Sequence, residues 1–177
     1  MCRRDNPRCL PYNELVNAAN VLTIPTNSAE QTQAVAARLA AFLRAGDILT
    51  LSGDLGAGKT TFTRGLVAAL GVSARNVTSP TFTLLHEYRG GKFTVYHADA
   101  YRLTGAADAA GIGLEEIIAG GDGITVIEWP ERIAGALPDE RLEITFAGGD
   151  SDERTLSFTG RGARWANLSR DWASLPC

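Results

Sequence analysis

Gly53-Asp54-Leu55-Gly56-Ala57-Gly58-Lys59-Thr60 decides the fold. It fits the pattern G-x-x-x-x-G-K-[ST], the glycine loop that cradles phosphate groups. Its flanks agree with that reading. Asp47-Ile48-Leu49-Thr50-Leu51-Ser52 is a short, mostly apolar run of the kind that forms a buried strand. Thr61 to Leu70 reads as a helix, with Phe62, Leu66, Val67 and Leu70 on one face and Gly71 as its stop. Strand, glycine loop and helix stand in the order that a P-loop requires.

The chemistry of the loop follows from its residues. Gly53, Gly56 and Gly58 lack a Cβ, so the backbone is free to curl around an anion and turn N–H groups inward. The helix that follows points its positive end and unpaired amides at the same place. Lys59 is placed to reach the β- and γ-phosphates, and the Thr60 hydroxyl to ligate Mg²⁺. Of the 17 Lys and Arg residues only Lys59 and Lys92 are lysine. A chain that writes its cations as arginine thus has a flexible ammonium where a phosphate needs one.

Composition narrows the function classes. The 177 residues are 45% hydrophobic and 21% charged, an ordinary globular mixture long enough for one full core. A net charge of −3 argues against the body gripping a nucleic-acid backbone by itself. Cys2, Cys9 and Cys177 lie near the ends without metal-ligand spacing, as expected of a reduced, cytoplasmic chain. No run reaches transmembrane length, and the N-terminus has no apolar secretory core.

Working outward, residues 1–20 show no clear period and read as a loose extension. Val21-Leu22-Thr23-Ile24 reads as a short strand. Ser28-Ala29-Glu30-Gln31 reads as a capping box opening a helix through Leu43, ended at Gly46. Beyond the P-loop unit, residues 82–97 read as a β-hairpin around Arg89-Gly90-Gly91-Lys92. Residues 106–119 read as a helix, against the grain of Gly111 and Gly113. Ile124 to Glu128 reads as a central strand covered on both faces, followed by a short helix from Pro130. Arg141–Ala147 and Arg154–Thr159 are two further strands around a Gly148-Gly149-Asp150 turn, and residues 162–172 a final helix. The expected fold is α/β: a P-loop NTPase three-layer sandwich with a mostly parallel central sheet and an added antiparallel β-hairpin. Its ATPase domain covers residues 21–160, with 161–177 a helix or tail packed on the same domain.

Other residues carry two readings each. Glu128, ending a central strand, is the best-placed acid for Mg²⁺, against an ordinary solvated strand end. Asp99 follows another strand and either points toward a γ-phosphate or caps its loop. His97 is a structural histidine or a proton carrier; Trp129 stacks on adenine or packs in the core. Ser79 and Thr81 sense the γ-phosphate or cap the turn at Pro80. Arg102 and Arg132 neutralise phosphate or pair locally, and Arg161, Arg164 and Arg170 suit a solvated face.

Four segments taken in order resemble one family. They are Gly53–Phe62, Ser79–Leu84, the His97-Ala98-Asp99-Ala100-Tyr101-Arg102-Leu103 run, and Glu128-Trp129-Pro130-Glu131-Arg132. Together they resemble the TsaE (formerly YjeE) ATPases of bacterial tRNA threonylcarbamoyladenosine biosynthesis, over roughly residues 22–160. The resemblance implies an accessory ATPase acting with the TsaD and TsaB proteins to modify adenosine 37 of tRNAs reading ANN codons, touching tRNA only indirectly. It implies that Gly56, Ala57, Gly58, Lys59, Thr60 and Thr61 hold the phosphates of ATP, and that Thr60 and Glu128 hold Mg²⁺. It implies that Asp99 is needed for hydrolysis, as base or as positioner of water or metal. Trp129, Glu131 and Ala29 to Thr32 are implied at the nucleoside end. The chain departs from the family in residues 1–20 and in its alanine-rich 106–110 segment.

Two rival functions are separable. A small-molecule kinase calls for an acceptor pocket and an arginine-bearing lid, and the sequence offers no clear lid insertion. A guanine-nucleotide switch calls for Asn-Lys-x-Asp. Lys59 and Lys92 each follow glycine, so that motif is absent.

Overall fold

A computed structural model describes residues 20–73, 75, 77–148 and 153–175. The three cysteines, the stretch before Asn20 and the Gly149-Asp150 part of the expected turn lie outside the described residues. The strands are β1 (Val21–Thr26), β2 (Ile48–Ser52), β3 (Leu85–Tyr88), β4 (Thr94–Asp99), β5 (Gly123–Glu128), β6 (Arg141–Ala147) and β7 (Arg154–Arg161). They form one sheet in the order β1-β7-β6-β2-β5-β4-β3. β6, β2, β5 and β4 run parallel at its centre. On one side β7 pairs antiparallel with β6 and β1 antiparallel with β7; on the other, β3 pairs antiparallel with β4.

Helices α1 (Ala29–Ala40), α2 (Lys59–Ala69) and α5 (Leu168–Ala173) contribute to one apolar cluster, with Leu39, Leu66 and Trp172 against Leu49, Val126 and Phe158. Helices α3 (Ala106–Gly111) and α4 (Leu114–Gly120) and the 3-10 segment Pro130–Ala136 share a second cluster with Ile48, Ala98 and Ile127. The three expected layers are therefore present, with helices on both faces of the sheet. β2 and β5 are covered on both sides, which is why they are buried almost throughout and mostly apolar. Along β6 and β7 buried positions alternate with more exposed ones, and Leu142, Ile144, Phe146, Leu156 and Phe158 face the first cluster.

Ser28 caps α1 by accepting from the Gln31 amide at 3.2 Å. The returning Gln31 side chain accepts from the Asn27 amide, one residue earlier than in a standard capping box. The expected single helix over 106–119 is two helices. Gly113, at φ +74°, turns the chain between them. The hairpin's first strand begins at Leu85 rather than Phe82, because Thr81 to Leu84 form a turn that ends with Leu84 at φ +66°. The last helix is likewise a 3-10 turn, Ala163–Trp165, followed by α5.

Candidate functional site

Register alone assembles the site. Leu51 on β2 pairs with Glu128 on β5, and Glu128 pairs with Asp99 on β4. The parallel strands therefore end side by side, with the P-loop leaving β2 at the same edge. Ligands of open α/β sheets gather at that carboxyl edge. A cavity of about 320 Å³ opens there, bounded by the loop from Leu55 to Thr61 and by Ser79, Thr81, Asp99, Tyr101, Glu128 and Trp129.

The loop glycines do different work. Gly56 and Gly58 have φ of +81° and +104°, a region closed to most side chains. Gly53 has φ +143°, and a Cβ there would lie 2.7 Å from the Phe146 carbonyl oxygen. Its bare backbone lets the loop leave β2 alongside β6. Gly58 then precedes α2, whose amide end faces the cavity.

Lys59 is almost fully buried. Its Nζ donates to the carbonyl oxygens of Gly53 at 2.6 Å and Asp54 at 2.9 Å, and lies 3.9 Å from the centre of the Trp129 ring. Burial pushes its ammonium below the usual lysine range, and the charges of Glu128, Asp99, Glu131 and Asp54 oppose that shift in part.

The two acids are buried and differently held. Glu128 Oε1 accepts from Thr60 Oγ1 at 3.0 Å and meets His97 Nε2 at 2.9 Å. As a carboxylate it requires the Nε2-protonated form of the imidazole, which leaves Nδ1 buried and unpartnered among the described residues. His97 thus orients Glu128 from behind, the hydrogen-bonded reading of that histidine. Asp99 Oδ2 accepts from Ser79 Oγ at 2.8 Å and Thr81 Oγ1 at 2.6 Å, while Oδ1 accepts from the Tyr101 amide. One carboxylate therefore both caps its loop and ties down the segment ahead of β3.

The Thr60–Glu128 pair is an oxygen-only donor set beside the glycine loop. Among the described residues no group of three or more His, Cys, Asp or Glu is placed to hold a metal. Few protein oxygens plus room for water and phosphate suit Mg²⁺, which keeps part of its water shell.

The other expected residues take the following places. Trp129, at φ +58°, packs on Tyr101 at 5.0 Å between centroids and covers Lys59, so it walls the cavity at its Lys59 end. Glu131 is exposed and lines a neighbouring groove of about 240 Å³ with Thr50, Ser52, Arg141 and Glu143. Thr32, at the start of α1, is buried against Thr26. Arg164 is not solvated: it clamps Asp47 with two bonds at 3.0 Å. The sequence reading passed over Arg154, whose Nε donates to the Ala57 carbonyl at 3.1 Å. No motif marks it, because its place beside the loop depends on β7 lying next to β6.

Fold and site together define a P-loop protein of the α/β class. The family model described as "Threonylcarbamoyl adenosine biosynthesis protein TsaE" matches residues 26–156. A Bacillus subtilis (strain 168) protein named tRNA threonylcarbamoyladenosine biosynthesis protein TsaE is 44% identical over 146 residues, 82% of this chain and 90% of that one. A protein of the same name from Streptomyces coelicolor is 44% identical over 135 residues, 73% of this chain and 90% of its own. The crystal structure of Bacillus subtilis YdiB superposes with a TM-score of 0.72 at 40% identity, covering 86% of this chain and 94% of that one. The chain belongs to the TsaE family.

Proposed function

We propose that this chain binds ATP with Mg²⁺ and hydrolyses it as an accessory subunit in threonylcarbamoylation of adenosine 37 of tRNAs reading ANN codons. It works in the cytoplasm with the TsaD and TsaB proteins and meets tRNA only through them. The observation that carries the reading is the meeting, at one strand edge, of the glycine loop, Lys59, Thr60, Glu128 and Asp99. Family membership supplies the pathway.

In this reading the amides of the loop and of the start of α2 hold the phosphates, and Lys59 exchanges its carbonyl partners for phosphate oxygens. Thr60 and Glu128 hold Mg²⁺, which neutralises the charge on the phosphates. Asp99 orients the attacking water or takes its proton. Trp129 excludes solvent over Lys59. Hydrolysis by the isolated chain is slow, because the cycle exists to change the contacts of a partner. Such coupling requires different partner contacts in the ATP and ADP states. Ser79 and Thr81 supply the link, since a change at Asp99 reaches the turn that carries exposed Phe82.

The test is a reconstituted tRNA modification assay with TsaD and TsaB, combined with calorimetry of ATP-analogue and ADP binding. Lys59→Ala is expected to weaken nucleotide binding at least tenfold, as loss of a charge-assisted phosphate contact implies. Glu128→Ala is expected to spare much of the binding and abolish modification. Full modification by either variant would sink the reading; a phosphorylated metabolite as product would replace it with a kinase.

A further inference from the structure

The structure assigns Arg154 as a positioning residue for the diphosphate cradle, acting through the peptide between Ala57 and Gly58. This inference rests on the phosphate-binding reading of the loop. Its starting point is a problem the glycines create. Gly56 and Gly58 make the loop permissive, and a Cβ added at Gly56 would meet nothing within 4 Å. Backbone this free has several peptide orientations of similar energy, and only some aim N–H groups at an anion.

Two of the three peptide units around Ala57 and Gly58 are fixed from within. The Ala57 amide donates to the Asp54 carbonyl at 3.2 Å, and the Gly58 carbonyl accepts from the Phe62 amide at 2.9 Å as α2 begins. The unit joining Ala57 to Gly58 is held from outside the loop. Arg154 Nε donates to its carbonyl oxygen at 3.1 Å. A trans peptide is planar, so its N–H points away from its C=O. Pinning the Ala57 oxygen on β7 therefore directs the Gly58 N–H to the opposite side. A cationic donor on the oxygen also strengthens that N–H as a donor, through the polarisation that links hydrogen bonds in series.

A second observation is proximity: a Cβ on Gly58 would lie 3.4 Å from Arg154 Nε and 3.6 Å from its Cδ, ordinary contact distances. The Arg154 side chain therefore packs directly along the loop at Gly58, whose φ of +104° is what calls for glycine. Sheet order makes this possible: β7 starts at Arg154, which pairs with Thr26 on β1, and the next residue, Thr155, pairs with Ala147 at the end of β6.

The experiment titrates ADP into the full chain by calorimetry, while ¹⁵N NMR follows the Gly58 amide and a thermal melt checks folding. Arg154→Met keeps the stem and removes the donor. It is expected to weaken ADP binding about tenfold and to shrink the downfield shift of the Gly58 amide on ADP addition. Arg154→Lys keeps a cationic donor on a stem of different reach. It should bind between wild type and Arg154→Met, with a partly restored amide shift. A folded Arg154→Met with wild-type affinity and an unchanged Gly58 shift overturns the inference. If Arg154→Met does not fold, Arg154→Lys decides: reduced affinity and shift support the role, and wild-type values for both overturn it. Wild-type protein that takes up no ADP would sink the nucleotide reading and this inference with it, a result distinguishable from a variant-specific null.

Discussion

Gly53 and Lys59 show how one residue type at one position carries both fold and chemistry. Gly53 sits where β2 hands over to the loop, at a backbone angle most side chains avoid, with the Phe146 carbonyl where a Cβ would go. Gly53→Ala therefore combines backbone strain with a main-chain clash. The two together are expected to cost about 2–4 kcal/mol, lowering Tm by roughly 4–16 °C for a chain of this size. ADP affinity should fall as well, because the loop exits through that contact. A melt within 2 °C or so of wild type, checked by calorimetric scan, would contradict the account. The loop, Lys59, Thr60 and Glu128 were all readable as letters, since each is a motif residue or a strand end. Arg154 and Tyr101 were not: one reaches the loop through sheet order, and the other meets Trp129 through a left-handed backbone turn.

At the scale of elements, β2 with α2 could be read closely because the pattern of burial sits in consecutive residues. The helices expected over 106–119 and 162–172 read as single pieces because periodicity does not register a one-residue break. Gly113 supplies the first break; at the second, a 3-10 turn at Ala163–Trp165 leads into α5. Helix glycines give the sharpest test here. Gly65 lies inside α2, where glycine costs about 1 kcal/mol relative to alanine. It is needed because a Cβ there would lie 2.5 Å from the Gln33 carbonyl of α1. Gly65→Ala should thus destabilise by about 1–3 kcal/mol despite the better helix former. Gly111, ending α3, would meet nothing within 4 Å. Gly111→Ala should stabilise by about 0.5–1 kcal/mol. Urea unfolding of both variants should give midpoint shifts of opposite sign; shifts of the same sign would refute the crossing argument.

Over the whole molecule, one apolar cluster runs from under the P-loop helix to the last helix, while the cavity of about 320 Å³ lies at the carboxyl edge of the parallel strands. Stability and binding should separate along that division. Phe82, 87% exposed, and Leu55, 85% exposed, are large apolar side chains left to solvent on the turn before β3 and on the P-loop. On the proposed coupling to TsaD and TsaB, Phe82→Ser should leave Tm and ADP affinity unchanged while weakening that association in the ATP-analogue state. Undiminished co-purification would remove Phe82 from the proposed coupling. Trp172 is the counterpart. It is fully buried, 5.5 Å from the Phe158 ring, with the Arg38 guanidinium 5.0 Å over its own ring and Arg38 Nη2 bonded to its carbonyl at 3.2 Å. α5 is too short to hold itself together, so this side chain anchors it to β7 and α1. Trp172→Ala should cost about 3–5 kcal/mol and lower Tm by roughly 6–20 °C. Well below the new Tm, ADP affinity should stay within twofold of wild type, because Trp172 does not line the cavity. A large loss of affinity without a fall in Tm would mean that the last helix acts on the site directly, and the division argued from the clusters would have to be given up.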